Sequence, residues 1–434
     1  MARMKRLVQH QWLALLLFTS TEALASGFQL WEQDNASLGN YHAGYAVMRD
    51  ASTAFYNPAG IPQIKNQQMI FGGAGVFTNI EYNGTVAVDT LNGNAPQYTI
   101  AQGGISSFIP SFHYVAPISE SIGFGLSLDV PFGLGIDYGR ETILRYSAYR
   151  VATTVVDLSP SLGLQITGPF SIGLGIDIQR MAAEFDEIGR IADDTDTDST
   201  SKAWGMAWGY HAGILYQFSP ETRAGLSYHS QVVHHLKGKS KFVGPAADAF
   251  NGGPIISNVA KTNITLPSYT AFSLYHKTAP QWAFMGTVIY TQWSSLQQLT
   301  LQNVAGIQDF APSTSINIVL PQHYHNTWNL SLGADYLVSE CVTLRVGAGF
   351  DQSPSNNTYR NTQLPDNDRY AVAFGGHYQA TKTIGIDAGW THLWIHKAGI
   401  HNIVEVTGDQ TVTTNGRVNG SADVFGAQIV WDML

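Results

Sequence analysis

"TWNLSLGADYLV" (327–338) alternates a large apolar residue with a small or polar one along nearly its whole length. Trp328, Leu330, Leu332, Ala334, Tyr336 and Val338 share one face, and Asn329, Ser331, Gly333 and Asp335 the other. A period of two means a β-strand with different surroundings on its two sides. The end of the chain repeats it, with Phe425, Ala427, Ile429, Trp431 and Met433 on one face against Gln428 and Asp432. Soluble strands average about five or six residues; these are longer and carry their large aromatics on one side. That suits a wall with lipid outside and a polar lumen inside.

Outward from this stretch, short turns near 117–120, 168–169, 219–221, 279–281, 339–341 and 380–383 alternate with long polar segments near 83–103, 139–148, 188–201, 240–260, 300–318, 354–366 and 399–417. Strands then fall at 67–82, 104–117, 120–138, 149–167, 169–187, 202–218, 221–239, 261–278, 281–299, 319–338, 341–353, 367–380, 383–398 and 418–434. The expectation is all-β: a 14-stranded antiparallel transmembrane β-barrel over 67–434. A barrel this wide cannot fill its lumen with its own side chains. Residues 26–66, rich in Gly, Ala, Ser and Asn, are the expected N-terminal plug.

The composition fits. Charged residues are 13% of the chain, while Gly (43), Tyr (20), Phe (20) and Trp (10) are plentiful. The net charge of −9 argues against nucleic acid as a partner. The single cysteine, Cys341, cannot form an internal disulfide. Arg3, Lys5 and Arg6, the apolar run 12–18 and Ala23-Leu24-Ala25 read as a signal peptide over 1–25. After it no apolar run reaches the roughly 18 residues of a spanning helix, so Asn57-Pro58-Ala59 in "FYNPAG" (55–60) is not the half-helix motif of a water channel.

Strand 3 departs from the pattern. "SIGFGLSLDVPFGLGIDYG" (121–139) carries Pro131, Phe132, Gly133 and Gly135. Proline gives no N–H to the ladder, and a closed barrel has no edge on which to tolerate it, so a bulge or inward kink is expected. A three-residue turn at 339–341 sets Asp335 opposite Arg345 on the inner face, an expected ion pair.

The chain resembles the FadL family of outer-membrane transporters of long-chain fatty acids and other hydrophobic compounds, which includes TodX-like channels. The blocks carrying the resemblance are "SGFQLWEQDNASLGNYHAGYAVMRDASTAFYNPAG" (26–60), "RAGLSYHSQVVHHLKG" (223–238), "NITLPSYTAFSLYHK" (263–277), "TLRVGAGFDQSPSNNTYRNTQLPDNDRY" (343–370) and "IDAGWTHLWI" (386–395). It implies that Asn57, Pro58 and Ala59 lie in a hatch plugging the barrel. It implies that Gly27 and Phe28 border the ligand pocket, and that a ligand caught at the outer loops leaves sideways through strand 3. It further implies a passive transporter, not an enzyme, in the outer membrane of a Gram-negative bacterium. The expected partners are a hydrophobic small molecule, outer-membrane lipid and lipopolysaccharide, and the barrel assembly machinery. A monomer without cofactor or metal is expected. One departure is the C-terminus, where Met433 stands at the position of the family's usual terminal aromatic residue and Leu434 is added.

Rival readings are a hydrocarbon or aromatic channel of the same family, a surface adhesin or structural barrel, and an outer-membrane hydrolase. The hydrolase lacks a GxSxG motif. Asp194, Asp196 and Asp198 read as a solvated loop, since Ser199 and Gly205 stand where a calcium loop needs Gly and Glu. The pairs His234/His235, His323/His325 and His392/His396 supply too few ligands for zinc.

Overall fold

The computed structural model describes residues 27–89, 96–190, 195–406 and 410–433; the segment 1–25 expected to be a signal peptide, Asp194 and Leu434 lie outside them. Fourteen antiparallel strands close into one barrel. They are β1 (Gln67–Val88), β2 (Gln97–Gln102 and Ser106–Pro117), β3 (Ile122–Asp137), β4 (Arg150–Gln165), β5 (Phe170–Gly189), β6 (Thr197–Ser219) and β7 (Thr222–His229 and Val232–Val243). There follow β8 (Ile255–Leu266 and Tyr269–Lys277), β9 (Trp282–Thr291 and Gln298–Gln308), β10 (Ala311–Pro321 and Thr327–Ser339), β11 (Val342–Asp351), β12 (Arg369–Gln379), β13 (Ile384–Val406) and β14 (Gln410–Met433). Each pairs with the next, and β14 returns to β1 from Gln67↔Met433 to Val88↔Val412. Closure leaves no exposed sheet edge, which is what a strand needs where no water is available to bond its backbone.

The alternation of 327–338 is the alternation of the wall. Trp328, Leu330 and Leu332 are exposed on the outside, while Asn329 and Ser331 are buried on the lumen side. Trp204, Trp208, Trp282, Trp394 and Trp431 are also exposed outward.

Two expectations need correction. Much of the sequence expected to be loop at 83–103, 188–201, 240–260, 300–318 and 399–417 continues the ladder. There Ile400, Val412 and Val418 are buried while His401 and Asn415 are exposed, so one apolar face and a paired neighbour suffice to extend the strands. Strands expected to be continuous are instead interrupted at 230–231 (β7), 267–268 (β8), 292–297 (β9) and 322–326 (β10). Pro267 has no N–H to contribute, and Trp293–Ser295 turns as a 3-10 helix that sends Trp293 into the interior, fully buried.

Residues 27–66 lie inside the wall, at the end carrying the short turns. They form α1 (Asn35–Leu38), α2 (Thr53–Tyr56) and 3-10 turns at Tyr45–Val47 and Pro58–Gln63. Asp34 caps α1 by accepting from the Ser37 N–H at 2.7 Å. Glycines on the inner wall make the room. A Cβ on Gly213 would stand 1.8 Å from Asn57 Oδ1, one on Gly225 1.9 Å from Ala46 O, and one on Gly347 2.2 Å from the Asn40 carbonyl. Two glutamines stitch this segment to the barrel seam. Gln68 Oε1 accepts from the Ala51 N–H (2.6 Å) while its Nε2 donates to Asp432 (2.7 Å), and Gln428 accepts from the Asn35 N–H (2.8 Å) while donating to Asp34 (2.8 Å).

Candidate functional site

Strand β3 pairs with β2 only from Pro117↔Gly123 to Phe112↔Leu128. Beyond Leu128 the two strands part, and they meet again where the Asp137 N–H donates to Gly103 O at 3.0 Å. On its other side β3 keeps its pairing with β4 but bulges between Asp129 and Phe132, so that Val130 and Pro131 have no partner in β4. Gly133 and Gly135 then rejoin that ladder opposite Thr154 and Ala152. Residues 129–136 are all buried, so the strand runs inward along this stretch.

The N-terminal segment takes the place that β2 has left. Gln29 bridges Phe132, the Leu30 N–H donates to Pro131 O (2.9 Å) and the Gly133 N–H donates to Phe28 O (2.9 Å). Gln33 Nε2 adds a bond to Val130 O (3.0 Å). A backbone kinked by proline thus regains partners from a second piece of chain. Along the gap, Ser107 and Ser111 of β2 and both carboxylate oxygens of Asp129 are buried without a hydrogen-bond partner among the described residues, with His113 Nε2 3.6 Å from Asp129 Oδ1.

Phe28 packs edge-on between Phe132 (centroids 5.9 Å) and Trp293 (5.0 Å), and the last two rings are 6.1 Å apart. Gly27 has φ +61°, and a Cβ there would lie 2.7 Å from the Trp293 ring, so glycine is required twice over. Its N–H donates to Asp366 Oδ2 (2.9 Å), which also accepts from Ser353 Oγ (2.7 Å) and pairs through its other oxygen with Arg369. Trp293 and Asp366 did not stand out in the sequence. The signal for Trp293 was there: "TQWSS" (291–295) ends the alternation of its strand with a Trp.

Above this cluster Phe28, Leu134, Met181, Phe185, Leu296 and Leu364 border a cavity of about 80 Å³, with the amides of Asn361 and Gln363 at its rim. A second apolar trough shares Val151, Phe185, Ile264 and Leu299 and runs on to Leu301 and Val304.

Asn57 Nδ2 donates to Ala46 O (2.7 Å) and to Ile214 O on β6 (3.1 Å), and Asn57 Oδ1 accepts from the Ala59 N–H (3.1 Å). Pro58 opens the following 3-10 turn, where its fixed φ suits the first position. Close by, the ring nitrogens of His211 lie 2.6 Å from Asp177 Oδ1 and 3.1 Å from Ala54 O. Asp177, His211 and His229 offer ligand atoms within 4.8 Å of one another, but both nitrogens of His211 are already engaged.

Asp335 stands opposite Arg345, with Nε 4.0 Å from Oδ1. The short bond goes elsewhere: Arg345 Nη1 lies 2.6 Å from Asp387 on β13, which His377 also approaches at 3.0 Å. Asp196 and Asp198 pair with Arg145, Arg190 and Arg140, so this acidic segment is neutralised by arginine. His234 points inward to Gln179 (3.1 Å) and its neighbour His235 outward to Asn263 (2.8 Å), so the two cannot share an ion.

The chain is 26% identical to outer membrane protein P1 of Haemophilus influenzae, over 98% of this chain and 99% of that protein. It is 28% identical to the long-chain fatty acid transport protein of Salmonella typhi, over 86% and 88%. The crystal structure of a Pseudomonas aeruginosa FadL homologue superposes with a TM-score of 0.83 at 24% identity, covering 94% of this chain and 99% of that one. The Pseudomonas putida toluene transporter TodX superposes at 0.67 with 17% identity, covering 94% and 100%. The family model described as outer membrane protein transport protein (OMPP1/FadL/TodX) matches residues 16–432. The chain belongs to that family, as a transport channel of the outer membrane and not an enzyme.

Proposed function

We propose that this protein is a passive uptake channel for hydrophobic small molecules, with long-chain fatty acids as the first substrate class and hydrocarbons or aromatic compounds as the second. Ligand enters at the outer loops, follows the apolar trough to the cavity over Phe28, and leaves sideways through the gap between β2 and β3. Residues 26–66 act as the hatch that closes the lumen. The protein works as a monomer, delivered by the barrel assembly machinery, because a closed ladder needs no partner strand.

One observation carries the reading: strand β3 abandons β2 and is paired instead by residues 28–30, of which Phe28 also walls the cavity. A shift of that short segment joins cavity and gap in a single movement. The cavity of about 80 Å³ is small beside the roughly 300–1,000 Å³ of sites that enclose drug-sized ligands, so Phe28 has to move for a long chain to fit. Sideways exit also spares the ligand a transfer to water costing about 0.8 kcal/mol per CH₂.

The test is a cysteine pair at Gln29 and Phe132, in a protein with Cys341→Ser. Residues bridged across antiparallel backbone stand within disulfide reach, about 4.4–6.8 Å between Cα atoms. Uptake of a labelled fatty acid should stop on oxidation and return on reduction. Uptake indifferent to oxidation would show that residues 28–30 are no gate.

A further inference from the structure

The outer wall carries a cluster of cations, of which Lys202 and Lys261 also stand among the residues lining the apolar trough. Arg180 (β5), Lys202 (β6), Lys237, Lys239 and Lys241 (β7) and Lys261 (β8) all occupy exposed positions on the outward face. The register sets Lys202 directly opposite Lys239, and Lys237 directly opposite Lys261. Like charges directly opposed across a ladder are destabilising, and here two such pairs adjoin. Among the described residues only Lys202 has a carboxylate, Glu184 at 2.6 Å. Arg180 lies over the Trp204 ring at 5.3 Å. Lys237, Lys239, Lys241 and Lys261 form no ion pair among the described residues. This concentration of positive charge sits on a chain whose net charge is −9.

The height of the cluster identifies its counter-ion. From the short turn, Thr222 to Val233 climbs roughly 28 Å at about 3.3 Å per residue and a tilt of about 40°. That is close to the apolar band of about 25 Å. Val233 is the last apolar outward residue before the next outward positions turn to His235, Lys237, Lys239 and Lys241. The lysines therefore begin where hydrocarbon ends, on the long-loop side, at the level of lipid head groups. They continue above it, where only a lipid with a tall anionic head reaches.

We infer that the outward faces of β6, β7 and β8 form a binding site for a phosphorylated outer-leaflet glycolipid of the lipopolysaccharide type. Its phosphates neutralise the opposed lysines, its acidic sugars meet Lys239 and Lys241, and its acyl chains lie along Trp208 and Val233.

The full mature protein in detergent, titrated with a bisphosphorylated lipid A bearing its inner-core sugars and read by native mass spectrometry, tests this. Wild type should retain the glycolipid, and K237E/K239E/K261E should lose about tenfold in apparent affinity through loss of charge-assisted phosphate contacts. The matching triple Lys→Arg variant should bind like wild type, which separates charge from misfolding, as should Lys277→Glu and Lys382→Glu at the short-turn end. Unchanged binding by the charge-reversed triple overturns the site. So does phosphatidylglycerol bound as tightly and with the same lysine dependence, which would mean a generic anionic surface. Displacement of the glycolipid by millimolar inorganic phosphate would mean a free-anion site, and overturns it equally.

Discussion

The N-terminal segment is held in two different ways. At Asn57-Pro58-Ala59 it lies against an unbroken wall: β4, β5, β6 and β7 stay paired there, and glycines bring the backbones so close that a Cβ on Gly213 would come within 1.8 Å of Asn57. At residues 28–30 it lies against a wall strand that has lost its own neighbour, through backbone bonds at Leu30 and Gly133, the bridge at Gln29 and a cluster of three rings. The first contact excludes side chains and has one solution. The second consists of backbone bonds that another strand could supply, so it can be exchanged. A single short segment thus combines an anchor and a latch, about thirty residues apart.

If that division holds, removing the whole segment has the largest effect. Deleting residues 26–66 while keeping the export signal should leave a heat-modifiable barrel with a conducting lumen, and unchanged conductance in planar bilayers would refute the plug. Next in size, Gly133→Glu should abolish hydrophobic uptake at normal surface expression, because a carboxylate would enter the latch. Wild-type uptake by that variant would remove the exit from this position.

A disturbed anchor should leak without losing uptake. Gly213→Leu overfills the cradle at a cost of about 1–3 kcal/mol, and Asn57→Ala leaves the Ala46 and Ile214 carbonyls without this donor for about 1–3 kcal/mol. Both should raise background conductance, and lost uptake with no leak would contradict the division of labour. The smallest effect is expected at Asp335. Asp387→Asn should lower the heat-modification midpoint by the equivalent of about 1.5–3 kcal/mol, since it removes the charge of the near partner of half-buried Arg345. Asp335→Asn, at 4.0 Å, should cost about 1 kcal/mol or less.

What the sequence disclosed follows the range of each signal. The barrel was legible because alternation is local, and the departure of β3 because Pro131 cannot serve a ladder. The register of β10 and β11 was legible because a short turn fixes it. Asp387 was not legible as the partner of Arg345, since it lies two strands away across a long loop, and such loops fix no register. The glycines advertised a close approach without naming what approaches. The interruptions in β7 and β9 were hidden because neither carries a proline, unlike the break at Pro267 in β8 and the one just after Pro321 in β10.

The two glutamines at the seam bear on how the barrel is made. Bringing Asp432 to Gln68 closes a loop of 364 residues, and contacts of such separation form late. By then the N-terminal segment is already synthesised, and the incoming strand meets it as well as β1: Gln428 bonds Asp34 and Asn35, while Gln68 bonds Ala51 and Asp432. The final strand therefore gains its full set of bonds only if the N-terminus is inside. A barrel closed around an empty lumen lacks those bonds and should reopen more readily, which makes the last step of assembly a proofreading step.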